Sequence, residues 1–92
     1  MNQSVDSVFK ALGDSNRRRI IEIISESPGI SIQDLCDHFP TSRFAVMKHI
    51  NILEEAGLLR RERDGTSKLL YLRVDNLCSQ VNSWLRQFDL QN

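Results

Sequence analysis

The chain has 92 residues, 40% hydrophobic and 26% charged, with twelve basic side chains balanced by twelve acidic ones. That allows one domain with a single core and excludes a disordered chain, and no apolar run approaches the roughly 18 residues of a membrane span. The opening Met1-Asn2-Gln3-Ser4-Val5-Asp6 has no basic stretch followed by an apolar one, so no signal peptide is expected and the cytoplasm is the expected compartment.

A first helix is predicted over residues 4–12, where Val5, Val8, Phe9 and Leu12 recur at helical spacing before Gly13 ends the run. Asp14 or Ser15 caps a second helix through Asn16–Ile24 that stops before Ser27-Pro28-Gly29. Ile20, Ile23 and Ile24 mark its buried side and Arg18 pairs with Glu22 on the wet one. The Arg17-Arg18-Arg19 run is expected to be structural, with Glu22 and Glu26 as partners. Ser31 caps a third helix carrying Ile32, Leu35 and Phe39, with Asp34 placed like the acid of a capping box. Pro40 breaks it, Thr41 or Ser42 caps the next, and a fourth helix runs from Arg43 to about Ala56 with Val46, Ile50 and Leu53 inside and Gly57 just past its end.

The period then changes from 3.6 to 2. Leu58–Arg63 and Lys68–Val74 read as two strands joined by Asp64-Gly65-Thr66-Ser67. A closing helix over 76–89, capped by Asp75 or Asn76, puts Leu77, Val81, Trp84, Leu85 and Phe88 on one face. The expected fold is mainly α with a two-stranded β-wing: a single winged helix-turn-helix domain over 1–92, with the helix-turn-helix at about 31–56, the wing at 58–74 and a dimerisation helix at each end.

Helix, tight turn, helix, hairpin is a device for reading duplex DNA, and the charge is distributed to suit it. From Thr41 to Arg73 there are seven basic residues against four acidic, a local charge of +3 on a neutral chain. The outer face of the fourth helix offers Thr41, Ser42, Arg43, Phe44, Met47, Lys48 and Asn51. Arg43 has the fork that suits a guanine edge, Phe44 can lie on a thymine methyl, and Ser42 or Thr41 can bond phosphate. The hairpin adds Arg61, Arg63, Thr66, Ser67 and Lys68, with Arg60 beside them, for backbone phosphates or the minor groove. At the two ends, Val5, Val8, Phe9 and Leu12 together with Leu77, Val81, Trp84, Leu85 and Phe88 are more apolar surface than a domain this small can hide, so a two-fold interface between copies is expected.

Cys36 and Cys78 fit neither a zinc knuckle nor a Cys-x-x-Cys pair and are expected as free, partly buried thiols. His38 and His49 are expected to hydrogen-bond or pack. Nothing in the chain makes a plausible catalytic constellation, so an enzyme is not expected, nor a cofactor.

Taken together, Val8-Phe9-Lys10-Ala11-Leu12-Gly13-Asp14 with Arg17–Ile20, then Asp34-Leu35-Cys36, Ser42–Ile50, Leu53–Leu58 and Lys68–Leu72 resemble the ArsR family of bacterial regulators over nearly the whole chain. The wording of Arg43-Phe44 and Val46-Met47-Lys48-His49 is closest to its short members lacking a metal site. The resemblance implies a homodimer that binds an imperfect inverted repeat and usually represses, with an inducer left open. It also exposes departures. Ser31 and Gln33 stand where metal-sensing members carry a Cys-x-Cys pair, leaving Cys36 alone. Asp75 matches one ligand of a second site, but Leu77 and Phe88 replace its donors, so no metal site is expected. Two alternatives to a plain repressor stay open: a thiol switch using Cys36 and Cys78, and a module that holds a protein partner through Phe44 and Met47.

Overall fold

The structure, a computed structural model, describes residues 5–88. Ser4 and Asp89, placed by the sequence reading in the two terminal helices, lie outside that range. The elements in chain order are α1 (Val5–Leu12), α2 (Ser15–Glu26), β1 (Ile30–Ser31), α3 (Ile32–Cys36), α4 (Arg43–Glu55), β2 (Leu59–Asp64), β3 (Ser67–Leu72) and α5 (Val74–Leu85), followed by a 3-10 turn over Arg86–Phe88.

The helix boundaries follow from backbone groups that need partners. Asp14 caps α2, its carboxylate accepting from the backbone of Asn16 at 2.8 Å and of Arg17 at 3.2 Å. Burial raises the Asp14 carboxyl, but those two N–H groups and the nearby His49 and Arg17 charges outweigh it and leave it below the usual carboxylate range. A lowered folded-state pKa contributes stability above the unfolded value of about 3.9, and loses it as pH falls through the folded one. Asp14→Ala should therefore cost about 1 kcal/mol in urea melts at neutral pH, with the gap to the parent closing as pH drops below about 4.

The arginine run behind this cap is structural; Arg19 meets Glu22 as expected, while Arg17 and Arg18 turn to backbone carbonyls instead. Arg17 donates to the carbonyls of Ala11 at 2.7 Å and Lys10 at 3.0 Å, and Arg18 to that of Leu12 at 2.6 Å. Three carbonyls at the end of α1 are thus satisfied by cations, which the helix dipole favours. The Arg18–Glu22 pair expected from spacing is replaced by a loose, exposed Arg19–Glu22 contact at 3.8 Å. Arg17 also approaches Nδ1 of His49 at 3.3 Å, tying α2 to α4.

Ser31 ends β1 and caps α3, accepting from Asp34 N at 3.0 Å, and Ser42 caps α4, accepting from Ala45 N at 3.2 Å. Gly57, at φ 77°, closes α4: its N–H reaches the Glu54 carbonyl at 3.0 Å and the N–H of Leu58 reaches that of Leu53 at 3.0 Å.

The sheet is antiparallel in the order β1-β3-β2, so the wing hairpin gains a short third strand that sequence patterning did not give. The first strand of the hairpin is shifted one residue later than expected, and the second starts one residue earlier and ends two residues earlier. Arg73 N donates to the Leu58 carbonyl at 2.9 Å, and the Asn76 side-chain amide donates to that of Gly57 at 2.9 Å. Asn76 is spent on that bond, so α5 starts at Val74 behind Arg73 without a side-chain cap.

The core gathers one stripe from each helix and the sheet's inner face: Val8 and Ala11, Ile20 and Ile24, Ile32 and Leu35, Val46, Ile50 and Leu53, then Leu58, Leu59 and Leu70, all essentially inaccessible. Among the described residues, no helix is long and apolar enough to cross a membrane.

Candidate nucleic-acid interface

With Val46, Ile50 and Leu53 turned inward, α4 presents its first two turns to solvent. Thr41, Ser42, Arg43, Phe44 and Lys48 are all exposed. Phe44 is 74% accessible, far more than any other large apolar side chain among the described residues. Burying such a ring would be favourable, and the Lys48 ammonium lies over it 5.6 Å from the ring centre. Met47, expected beside it on the outer face, is half-buried and packs against the core. It lies three residues before Ile50, so part of its side chain shares the inner stripe.

The wing is fastened to this helix. Arg61 Nε donates to Glu54 Oε1 at 2.9 Å, and its guanidinium also bonds the side-chain oxygen of Asn51. The pair is half-buried, so the contact is less screened than a surface bridge. Arg61 and Asn51, both expected on DNA, thus bond each other, with Asn51 remaining exposed. Glu54 was missed as a site residue. The available signal was that Asn51 and Glu54, three apart, share one face of α4.

Register divides the remaining wing charges. Arg61 faces Leu70 and Arg63 faces Lys68 across the hairpin, so these cations extend the sheet face that carries Leu59 and Leu70. Arg60 and Glu62 fall on the other face, where Arg60 bonds Glu62 and lies 4.6 Å from the centre of the Tyr71 ring. Like charges directly opposed across strands are unfavourable, and the exposed Arg63–Lys68 pair is one. Thr66 and Ser67 are exposed at the tip, where Gly65 turns at φ 64°. Between wing and helix lies a cleft of about 300 Å³ lined by Arg43 and Met47, by Arg61, Thr66 and Lys68, and by Ser31 at the start of α3.

The expected interface stripes are partly used up inside one protomer. Val8 is fully buried in its own core and cannot reach a second copy; Leu12, Leu77 and Val81 pack half-buried against that core. Val5 and Leu85 are also half-buried. What remains outside is a ridge of rings: Phe9, 39% accessible, meets Trp84 edge-on at 5.3 Å, and Trp84 meets Phe88 at 4.8 Å. Val74, not anticipated, is also exposed.

Both cysteines are free. Cys36 is half-buried, and burial pushes its thiol up, with Arg43 pulling against the shift and Asp37 adding to it. That leaves little thiolate for a redox switch at neutral pH. Cys78 is exposed rather than partly buried. His38 Nδ1 lies 3.1 Å from the Asp34 carbonyl, a local hydrogen bond of the kind expected.

Comparison with known proteins agrees with this geometry. Residues 12–62, more than half of the chain, match a protein family described as a helix-turn-helix domain. The HTH-type transcriptional regulator YuzN of Bacillus subtilis (strain 168) is 34% identical over 92% of this chain and 99% of its own length. A solved ArsR-like transcriptional regulator from Rhodococcus sp. RHA1 superimposes with a TM-score of 0.83 at 27% identity, covering 92% of this chain and 79% of that one. The chain belongs to the ArsR-type winged helix-turn-helix regulators. As a member of that family it is a DNA-binding transcriptional regulator. Another relative of this ArsR-type protein is the transcriptional repressor SdpR of Bacillus subtilis (strain 168), 29% identical over 91% of each chain.

Proposed function

We propose that the chain acts in the cytoplasm as a homodimeric repressor on an inverted-repeat operator. In this reading α4 lies in the major groove, with Phe44 and Lys48 at base edges and Thr41 and Ser42 at the backbone, while Arg63, Thr66, Ser67 and Lys68 follow phosphates from the wing. Met47, half-buried, lines the cleft beside this surface, and Asn51, exposed, adds a polar side chain to it while bonding Arg61. The observation that carries the reading is the exposed Phe44, held at the start of a helix that also carries Arg43 and Lys48, neither in an ion pair among the described residues. Repression is proposed by analogy with the relative SdpR, named a transcriptional repressor.

The dimer is assigned to the Phe9, Trp84 and Phe88 ridge, which a two-fold axis would bury against itself. Sedimentation should give twice the 10.6 kDa chain mass, and stoichiometric titration should saturate a duplex at two chains per site. A monomeric mass with one chain per site would refute the homodimer. Lys68→Ala should weaken binding to operator and random duplex alike, and flatten the slope of log affinity against log salt by about one unit per protomer. An unchanged slope would take Lys68 off the backbone.

A further inference from the structure

Three cations converge on the cleft between wing and recognition helix, and they are not equivalent. Arg61 is neutralised in place by Glu54. Arg43 and Lys68 enter from opposite walls, and among the described residues neither is in an ion pair. No carboxylate lines the cleft, while Ser31, Thr66 and Ser67 add hydroxyls. Ser31 accepts from Asp34 N and keeps its own proton free to donate. A concave site with two uncompensated cations and several donors attracts a compact anion with several acceptor oxygens. The Arg63–Lys68 juxtaposition points the same way, since a bound dianion or phosphodiester would offset the repulsion between strands.

We propose, resting on the DNA-binding reading of the same face, that this cleft seats a single phosphate group held by Arg43 and Lys68, and that the Arg61–Glu54 bridge is the strut that fixes the distance between its walls. Arg43 is then a backbone anchor and not a reader of guanine, and base discrimination passes to Phe44 and Lys48. The phosphate is either one linkage of a bound duplex or a free phosphate ester that competes with DNA for the cleft.

Two experiments on the full chain test this. In the first, the amide spectrum of the ¹⁵N-labelled protein is followed while inorganic phosphate replaces chloride at constant ionic strength. Residues Ser31, Arg43, Thr66 and Lys68 should shift along one saturating curve, weakened at least tenfold in Arg43→Ala and in Lys68→Ala. Both side chains are exposed, so unchanged melting will show that the variants are folded. Absence of a saturating shift, or shifts spread equally over surface cations such as Lys10 and Arg19, would overturn the seat.

In the second, the duplex that the protein selects from a random pool carries a neutral methylphosphonate at one position at a time. One position per half-site should abolish the penalty of Lys68→Ala and that of Arg43→Ala, with base preference intact in Arg43→Ala. If the cleft saturates with phosphate but no position couples, the seat stands and its occupant is a free phosphate ester. Tight, salt-dependent duplex binding with neither saturation nor coupling overturns the seat and leaves the DNA-binding reading intact. Loss of base preference in Arg43→Ala returns that residue to the bases.

Discussion

Replacing Trp84 with Asp is expected to give a folded monomer whose affinity for a two-half-site duplex falls by about 10²–10⁴-fold, since joining two binding modules makes the second contact intramolecular. Trp84 is the middle ring of the exposed ridge, touching Phe9 on one side and Phe88 on the other. It is 40% accessible and outside the buried core, so the substitution spares the winged-helix packing. In a two-fold interface, by contrast, it would bury two unpaired carboxylates. Sedimentation velocity and duplex titration of the same sample read both halves of the expectation. A variant that stays dimeric places the interface elsewhere.

Ile50→Ala should cost about 2–5 kcal/mol, because it empties a fully enclosed position on the inner face of α4. Set against the roughly 5–15 kcal/mol of a whole domain, that is a shift of the melting temperature of about 10 °C or more. Phe44→Ala, six residues earlier on the same helix, should leave melting within about 0.5 kcal/mol of the parent, since most of the ring is in water. Its expected loss is roughly tenfold in preference for the selected duplex over a random one. Thermal melts and competition titrations on the two variants measure this division of labour directly. Equal destabilisation by both would mean that α4 is rotated from the orientation described.

The inner stripes were legible because helical period and burial coincide: Ile20, Ile24, Val46, Ile50 and Leu53 were assigned to the core from spacing and are there. So were the caps at Ser31 and Ser42 and the glycine after α4, since each satisfies a backbone group close by in sequence. What period cannot tell is which partner covers a stripe. Val8 belonged to an apolar face that could have met a second copy, and it is consumed by its own core instead. The strand β1 is two residues long, too short to alternate. Val74, expected as the last residue of the second strand, instead opens α5, with the Asn76 side chain bonding back to Gly57 from the first turn. Arg61 and Asn51 were read as free donors because their bond joins a strand to a helix, a contact that no local pattern encodes.

Fluorescence anisotropy of a labelled duplex from the protein's own promoter, against a random duplex of equal length at two salt concentrations, tests most directly whether the α4–wing face reads DNA. The account predicts tighter binding to the promoter, with both affinities falling steeply as salt rises. No binding to either duplex at low salt would contradict it, and would turn the exposed Phe44 into a contact for a protein partner.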